Sequence, residues 1–164
     1  MSNVIHFYSQ DGENGFLSNF YESKVIINEK TYPSSEHAFQ AQKFLGSKST
    51  QFDLEYAESI RTARNPKKAK ALGRSRKGKQ KLRSDWEKVK VEIMREIVFA
   101  KFTQSEKLQK KLLNTGNKRL VEHINRDMFW ADGGNGTGKN WLGRILMEAR
   151  ESLRQQIDQE NENK

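Results

Sequence analysis

The segment WEKVKVEIMREIVFAKF, residues 86–102, decides the fold class of this chain. Its apolar side chains recur every three or four residues, which is the spacing of one face of an α-helix. Because that face is long and continuous, the segment predicts a buried helix. The residues on the face are Trp86, Val89, Ile93, Ile97 and Ala100.

On both sides of this segment the sequence predicts more helices and a few short strands. Further helices are expected from Ser34 or Ser35 to about Leu45, and at 50–59, 66–76, 105–114 and 140–157. Strands are expected at 4–9 and 120–124, and a β-hairpin at 24–32 with its turn near Asn28-Glu29. These elements indicate an α+β fold, a compact and mainly helical single domain with a small antiparallel hairpin.

Length and composition set limits on the class of protein. The chain has 164 residues, which suggests one domain over residues 1–155, followed by a polar, frayed C-terminal tail at 156–164. It has no cysteine, and its three histidines show no metal-ligand spacing. No apolar run approaches the roughly 18 residues that a membrane helix needs. We therefore expect a cytoplasmic protein with no metal site and no membrane partner.

The net charge of +9 is local. Between Arg61 and Arg83 there are 11 Lys or Arg residues and no acid, whereas the rest of the chain holds 19 basic and 21 acidic residues. A basic stretch of this kind can attract phosphates. A solvated helix face followed by a basic loop explains it equally well.

The first candidate site is the motif SSEHAFQAQKF, residues 34–44. Positions i, i+4 and i+7 lie on one helix face, so Glu36, Gln40 and Lys43 form a polar stripe between phenylalanines. A carboxylate and an amine held between aromatic walls have perturbed pKa values, as catalytic groups often do. The alternative is an acid that stabilises the helix dipole and a surface lysine.

The second candidate is the glycine-rich segment WADGGNGTGKNWLG, residues 130–143, just before the last helix. Glycines let backbone N–H groups approach an anion, and the start of a helix adds positive potential. Asn140 stands where a nucleotide-binding loop has Ser or Thr for magnesium, which excludes triphosphate hydrolysis. A flexible turn is the alternative. The possible ligand-binding residues here are Trp130, Asp132, Gly136, Gly138 and Asn140.

Two weaker candidates complete the set. In GFLSNFYES, residues 15–23, Asn19 could orient a ribose or a base edge and Phe20 could stack on a ring, although core packing explains the aromatics equally well. In LVEHINRD, residues 120–127, Glu122 falls within an apolar stretch, where an acid needs a partner.

Taken in order, these motifs resemble the NADAR family. The matching pieces are GFLSNFY, YPSSEHAFQAQKF, ALGR, DW, TG followed by LVE, and WADGGNGTGKNWLGRILMEAR, over roughly residues 5–153. The resemblance implies a mainly helical α+β domain with N-glycosidase activity. It carries the family's functional positions onto Glu36, Trp86, Trp130 and Asp132, and further motif positions onto Asn19, Lys43, Glu122 and Asn140. One position departs from many relatives, since Ala131 stands where they have glycine.

The resemblance also implies a mechanism for breaking a C1′–N bond. Glu36 and Asp132 would stabilise the developing cation and handle protons, with the division of roles open. Lys43 could instead add to the opened sugar as an imine. The tryptophans would stack on the base, while the glycine loop and part of the basic stretch would bind phosphate. No metal or redox cofactor is required.

Two substrate classes follow from the resemblance. The first, which we expect, is a phosphoribosylamino-pyrimidine of early riboflavin biosynthesis, a small phosphorylated ribosyl compound. The second is ADP-ribosyl-guanine in nucleic acid, which the +9 charge favours. A non-catalytic module that binds nucleic acid or ADP-ribose is a third possibility, but it leaves Glu36 and Lys43 without a role. Oligomeric state is open.

Overall fold

The computed structural model describes residues 2–164. The described residues form six α-helices: α1 Ser35–Gln42, α2 Gln51–Arg61, α3 Pro66–Arg74, α4 Trp86–Gln104, α5 Glu106–Leu113 and α6 Trp141–Glu162. They also form four short strands: β1 Val4–Phe7, β2 Val25–Ile27, β3 Lys30–Tyr32 and β4 Arg119–Glu122. A short 3-10 helix covers Gly15–Leu17. The predicted α+β, mainly helical class is confirmed.

Residues 22–101 form one compact unit, which we call the helical unit. In it α1 packs against α2, α3 and both strands of the β2–β3 hairpin. The hairpin is antiparallel and turns through Asn28 and Glu29, which have φ values of 49° and 64°. Two consecutive residues of positive φ give the backbone twist that a tight hairpin needs. The predicted hairpin and its turn are therefore confirmed.

Polar side chains begin the helices of this unit, as the sequence predicted for α1. Ser34 accepts a hydrogen bond on Oγ from the His37 N–H at 3.2 Å, which satisfies a donor of the first turn. Thr50 and Asp53 form a reciprocal capping box at the start of α2. These local bonds fix where α1 and α2 start.

Residues 2–21 and 102–164 belong to the second compact unit, which we call the strand unit. Here β1 pairs with β4 in parallel, from Val4 opposite Arg119 to Phe7 opposite Glu122. Helix α6 packs against β4 and α5. The sequence predicted the two strands but not their pairing, because no local turn signal links strands so far apart in the chain.

The last helix is longer than predicted. The expected end near Ile157 was wrong, since α6 continues to Glu162. The added residues are mostly Gln, Glu and Asn, and several of these have good helix propensity. They are exposed and therefore carry no apolar periodicity that marks a helix. Within residues 2–164, no helix has the length and apolar character needed to cross a membrane.

Candidate active site

The helix α1 presents a buried polar face. Glu36, Gln40 and Lys43 are all buried, and Gln40 donates from Nε2 to Glu36 Oε1 at 2.7 Å. Ser34 caps the helix, so Glu36 lies in its first turn, and Lys43 follows its last residue. The side chains that the spacing placed on one face are thus next to one another, while their roles stay predictions.

The environment of Glu36 favours its protonated form. Burial raises the pKa of Glu36. The hydrogen bond from Gln40 opposes that rise without cancelling it. Three nearby cations also oppose it, namely Lys70, Lys43 and Arg74. Glu36 therefore keeps its proton to a higher pH than an exposed glutamate, as a general acid requires.

Aromatic rings surround the amine of Lys43. Its Nζ lies 5.9 Å from the ring centroid of Phe39 and 5.8 Å from that of Trp86. The centroids of these two rings are 5.1 Å apart. Trp86 begins α4, so the long helix identified first from the sequence brings the predicted stacking residue to the amine.

The same surroundings change the protonation of Lys43. Burial lowers its pKa to about 8, against the opposing charge of Glu36. The like charges of Arg76, Arg74 and Lys70 lower the pKa further. Compared with an exposed lysine, more of this amine is neutral near pH 7, which is the form that acts as a nucleophile.

Two parts of the basic stretch differ in the structure. One part lies on and just after α3, where Lys70 and Arg74 act on the charges of both Glu36 and Lys43 and Arg76 acts on that of Lys43. Gly73 brings α3 close to α1, because a Cβ there would lie 2.0 Å from the Gln40 Oε1. The other part is an exposed loop that carries Lys77, Lys79 and Lys81.

The strand unit holds a second group of predicted residues at the end of β4. Asn140 accepts on Oδ1 from the Glu122 N–H and donates from Nδ2 to the Leu120 carbonyl, each at 2.9 Å. Its backbone is left-handed, with φ of 52°. The amide of Asn140 therefore ties β4 to the start of α6, and Glu122 is buried beside it.

Asp132 is also buried, and both of its oxygens are engaged. Oδ1 accepts from the Gly134 N–H and Oδ2 is paired with His123 Nδ1, each at 2.8 Å. Burial alone would raise the pKa of Asp132. The two hydrogen bonds and the nearby histidines His123 and His6 outweigh burial and lower it. Asp132 is consequently held as a carboxylate.

The glycine-rich loop around Asp132 depends on its glycines. Gly133, Gly134 and Gly136 have φ values between 75° and 83°, a region that side chains rarely adopt. A Cβ on Gly138 would lie 2.4 Å from the Ala131 carbonyl oxygen. Ala131 itself is buried and is not among the residues of positive φ, so its difference from glycine causes no backbone strain.

The remaining predicted residues lie in the strand unit. Trp130 is half-buried, makes an edge contact with Phe129 at 4.8 Å and donates its backbone N–H to Asp127 at 2.8 Å. Asn19 is buried and Phe20 half-buried, just after the short 3-10 helix. Each unit thus gathers its own set, with Glu36, Lys43 and Trp86 in one and Glu122, Asp132 and Asn140 in the other.

Sequence reasoning missed the histidines. His123 pairs with Asp132, and its ring meets the ring of His6 edge-on at 5.5 Å. His37 is buried and hydrogen-bonds the Ser34 hydroxyl and the Ala63 carbonyl. The only sequence signal was that His123 directly follows Glu122. Within residues 2–164, no group of three His, Asp or Glu side chains is placed to hold a metal ion.

Comparisons with known proteins define the class. A protein named N-glycosidase YbiA from Shigella boydii serotype 4 is 46% identical over 150 residues, covering 92% of this chain and 88% of the relative. A riboflavin biosynthesis protein of Vibrio vulnificus is 43% identical over 155 residues, covering 94% of this chain and 40% of the relative. These relatives confirm the prediction of an enzyme that hydrolyses N-glycosyl bonds.

The family and fold agree with that class. The profile of the NADAR domain matches residues 6–154, and the chain belongs to the NADAR family. The NMR structure of the Escherichia coli protein YbiA superimposes with a TM-score of 0.81 at 43% identity. The match covers 96% of this chain and 89% of that one. The fold predicted from the resemblance is therefore confirmed.

Proposed function

We propose that this N-glycosidase cleaves the C1′–N bond between a phosphorylated ribose and a base-like nitrogen, with phosphoribosylamino-pyrimidines of riboflavin biosynthesis as substrates. The observation that carries the proposal is the buried pair of Glu36 and Lys43, with Trp86 beside the amine and cations from α3 around it. An acid, an amine, a stacking surface and phosphate-binding charges are the groups that this bond cleavage needs.

Glu36 is assigned the role of general acid. When the C1′–N bond breaks, its electron pair goes to the leaving nitrogen, which takes the proton of Glu36. The raised pKa of Glu36 keeps that proton available, and the resulting carboxylate stabilises the oxocarbenium character at the sugar. Water then forms the new bond to C1′ and loses a proton.

Asp132 is assigned to the water side of the reaction. Its lowered pKa keeps it ionised, whereas the raised pKa of Glu36 favours the protonated form. Two carboxyl groups whose environments shift their pKa values in opposite directions are suited to opposite roles in acid–base catalysis. The assignment of these two roles rests on the chemistry of each carboxyl group within its own unit.

Lys43 offers a covalent route to the same products. Its neutral amine would bond to C1′ as the C1′–N bond to the base breaks, and the leaving nitrogen would take the proton of Glu36. The lysine nitrogen would then lose a proton as the C1′–O4′ bond opens to give the imine, and water would hydrolyse the imine to the free sugar and the lysine amine. The lowered pKa of Lys43 supports this route. In the direct route Lys43 is a cation that orients the substrate, so the two routes differ in whether an imine forms.

The phosphate is assigned to Lys70, Arg74 and Arg76, since these cations already surround the Glu36–Lys43 pair. Trp86 and Trp130 would stack on the base. Gly136 is assigned to an anion of the substrate. The Gly138 N–H donates to the Asp132 carbonyl at 2.8 Å, so Gly138 supports the fold of the loop instead. The name of the Vibrio vulnificus relative supports a riboflavin intermediate as the substrate.

A second candidate is the removal of ADP-ribose from guanine in nucleic acid. The exposed lysines Lys77, Lys79 and Lys81 favour it, because a nucleic acid offers several phosphates to such a loop and a small substrate does not. The two substrates make the same demands on Glu36. They differ in what they require of this loop.

The test is turnover measured side by side on a phosphoribosylamino-pyrimidine and an ADP-ribosylated guanine oligonucleotide, with wild type and Glu36→Gln. We expect wild type to release the free pyrimidine amine and Glu36→Gln to lose this activity. Preference for the oligonucleotide by more than tenfold in kcat/KM would replace the first candidate with the second. Turnover of neither compound would refute both.

A further inference from the structure

The end of β4 holds an arrangement that the sequence did not reveal. The His123 N–H donates to the Phe7 carbonyl at 2.8 Å, and the Asp132 N–H donates to the Glu122 carbonyl at 2.9 Å. These backbone bonds fix both residues at the end of the parallel strand pair. Their side chains then meet, with His123 Nδ1 2.8 Å from Asp132 Oδ2.

The Asp132 carboxylate is poorly placed to act on water directly. It is buried, and each of its oxygens already accepts a hydrogen bond. The side chain of His123, in contrast, is 47% exposed. The solvent-facing end of this pair is therefore an imidazole, and the carboxylate lies behind it.

We propose that His123 is the proton acceptor in the hydrolytic step and that Asp132 is its positioning residue. The inference rests on the proposed function and refines the role of Asp132 within it. As water bonds to C1′, one of its protons passes to His123 Nε2, and the resulting imidazolium is stabilised by the Asp132 carboxylate. Release of that proton to solvent returns His123 to its neutral form.

The pairing determines which nitrogen is free. An ionised Asp132 only accepts hydrogen bonds, so Nδ1 of the neutral ring carries the hydrogen. The lone pair of the ring is then on Nε2, which makes no hydrogen bond to any of residues 2–164. The ring of His6 meets that of His123 edge-on at 5.5 Å and limits its rotation. The orientation of His123 Nε2 is therefore fixed.

The kinetic test uses His123→Ala and Asp132→Asn, with whichever N-ribosyl substrate wild type hydrolyses. Loss of a general base typically lowers the rate about 100- to 10,000-fold. We expect a fall of that size in kcat for His123→Ala, with KM changed by less than about threefold. Added imidazole should restore activity in proportion to its concentration, because the exposed position leaves room for it.

Two controls separate this role from a structural one. Imidazole should accelerate neither wild type nor Glu36→Gln, since neither lacks the proposed base. The exposed Lys118→Ala variant of the same unit should keep wild-type kcat. Wild-type kcat in His123→Ala would overturn the proposal, and so would a folded, inactive variant that imidazole does not rescue.

A spectroscopic test does not depend on the substrate. In ¹⁵N NMR at a pH where the ring is neutral, wild-type His123 should show hydrogen on Nδ1. In Asp132→Asn that preference should weaken, as it does when the acid of a catalytic triad is replaced by its amide. A wild-type ring with hydrogen on Nε2 would overturn the positioning role of Asp132, even if the proposed substrate is wrong.

Discussion

Glu36 in the helical unit and Asp132 in the strand unit are both buried carboxyl groups. Their surroundings shift their pKa values in opposite directions. Glu36 receives one side-chain hydrogen bond, and burial raises its pKa. Asp132 receives two hydrogen bonds, and although burial pushes its pKa up, the net shift is downward. Burial dominates the pKa shift of Glu36, whereas the hydrogen bonds from His123 and Gly134 outweigh burial at Asp132.

The largest expected effect comes from Glu36→Gln, which removes the acid without changing the shape of the side chain. Loss of a positioned electrostatic group typically costs about 100-fold or more in rate. We expect kcat to fall by at least that factor, with folding intact by circular dichroism. The exposed Glu87→Gln variant of α4 is the matched control and should keep its activity. Near-normal turnover by Glu36→Gln would remove Glu36 from the mechanism.

The second prediction concerns the amine beside Glu36. If Lys43 forms an imine, borohydride added during turnover should inactivate wild type and increase its mass by the sugar fragment. Lys43→Met should show neither change. Because the pKa of Lys43 is about 8, trapping should increase with pH up to about that value as the neutral amine becomes more abundant. Continued turnover with neither inactivation nor added mass would instead indicate the direct water route.

The third prediction turns the comparison of the two carboxyl groups into a stability measurement. The folded-state pKa of Glu36 is raised, so wild type should lose stability relative to Glu36→Gln as pH rises above the ordinary glutamate value of 4.5. The folded-state pKa of Asp132 is lowered, so its advantage over Asp132→Asn should disappear as pH falls below the ordinary value of 3.8.

Denaturant unfolding between acid and neutral pH measures both differences. At neutral pH Asp132→Asn should lose about 1.5–3 kcal/mol, the range for hydrogen bonds to a charged group. The free energy of unfolding of Glu36→Gln should equal or exceed that of wild type. Parallel pH dependence for both variants would show that the two environments do not differ.

The smallest expected effect concerns the exposed part of the basic stretch. Reversing Lys77, Lys79 and Lys81 to Glu should raise KM and leave kcat nearly unchanged, as loss of uniform binding does. Added salt should shrink the effect, since the Debye length falls from about 10 Å at 0.1 M to about 3 Å at 1 M. A collapse of kcat would place these lysines with the catalytic groups.

A matched pair of variants compares the two parts of the stretch. Arg74→Ala and Arg76→Ala should raise KM for a small phosphoribosyl substrate more than the loop variants do, because these arginines lie near Glu36 and Lys43. For an oligonucleotide the loop variants should matter more. Equal effects on both substrates would contradict the division.

Local signals explain what was predictable from the sequence. The Asn28-Glu29 turn and the Ser34 cap are set by neighbouring residues, and the i, i+4 and i+7 spacing placed Glu36, Gln40 and Lys43 together on α1. Within one helix, the relative positions of side chains follow directly from residue number. The amino-acid sequence alone is therefore enough to bring these three groups together.

Contacts between distant segments do not follow from local signals. The parallel β1–β4 pairing brings together strands more than a hundred residues apart in the chain. No turn motif connects them directly, so no local signal predicts the pairing. The His123–Asp132 pair depends on how the loop between them folds back onto β4. The length of α6 was underestimated for another reason, because its exposed last turns have no apolar face to count.

Asn140 has a consequence for engineering this enzyme. Its φ of 52° suits few residues other than Asn and Gly, and its amide uses both a donor and an acceptor on the backbone of β4. Aspartate would lose the donor, and glycine would lose both bonds. A library that randomises the exposed positions of the glycine loop to change substrate preference should therefore leave position 140 unchanged, and if position 140 is also varied, surviving clones should retain asparagine there.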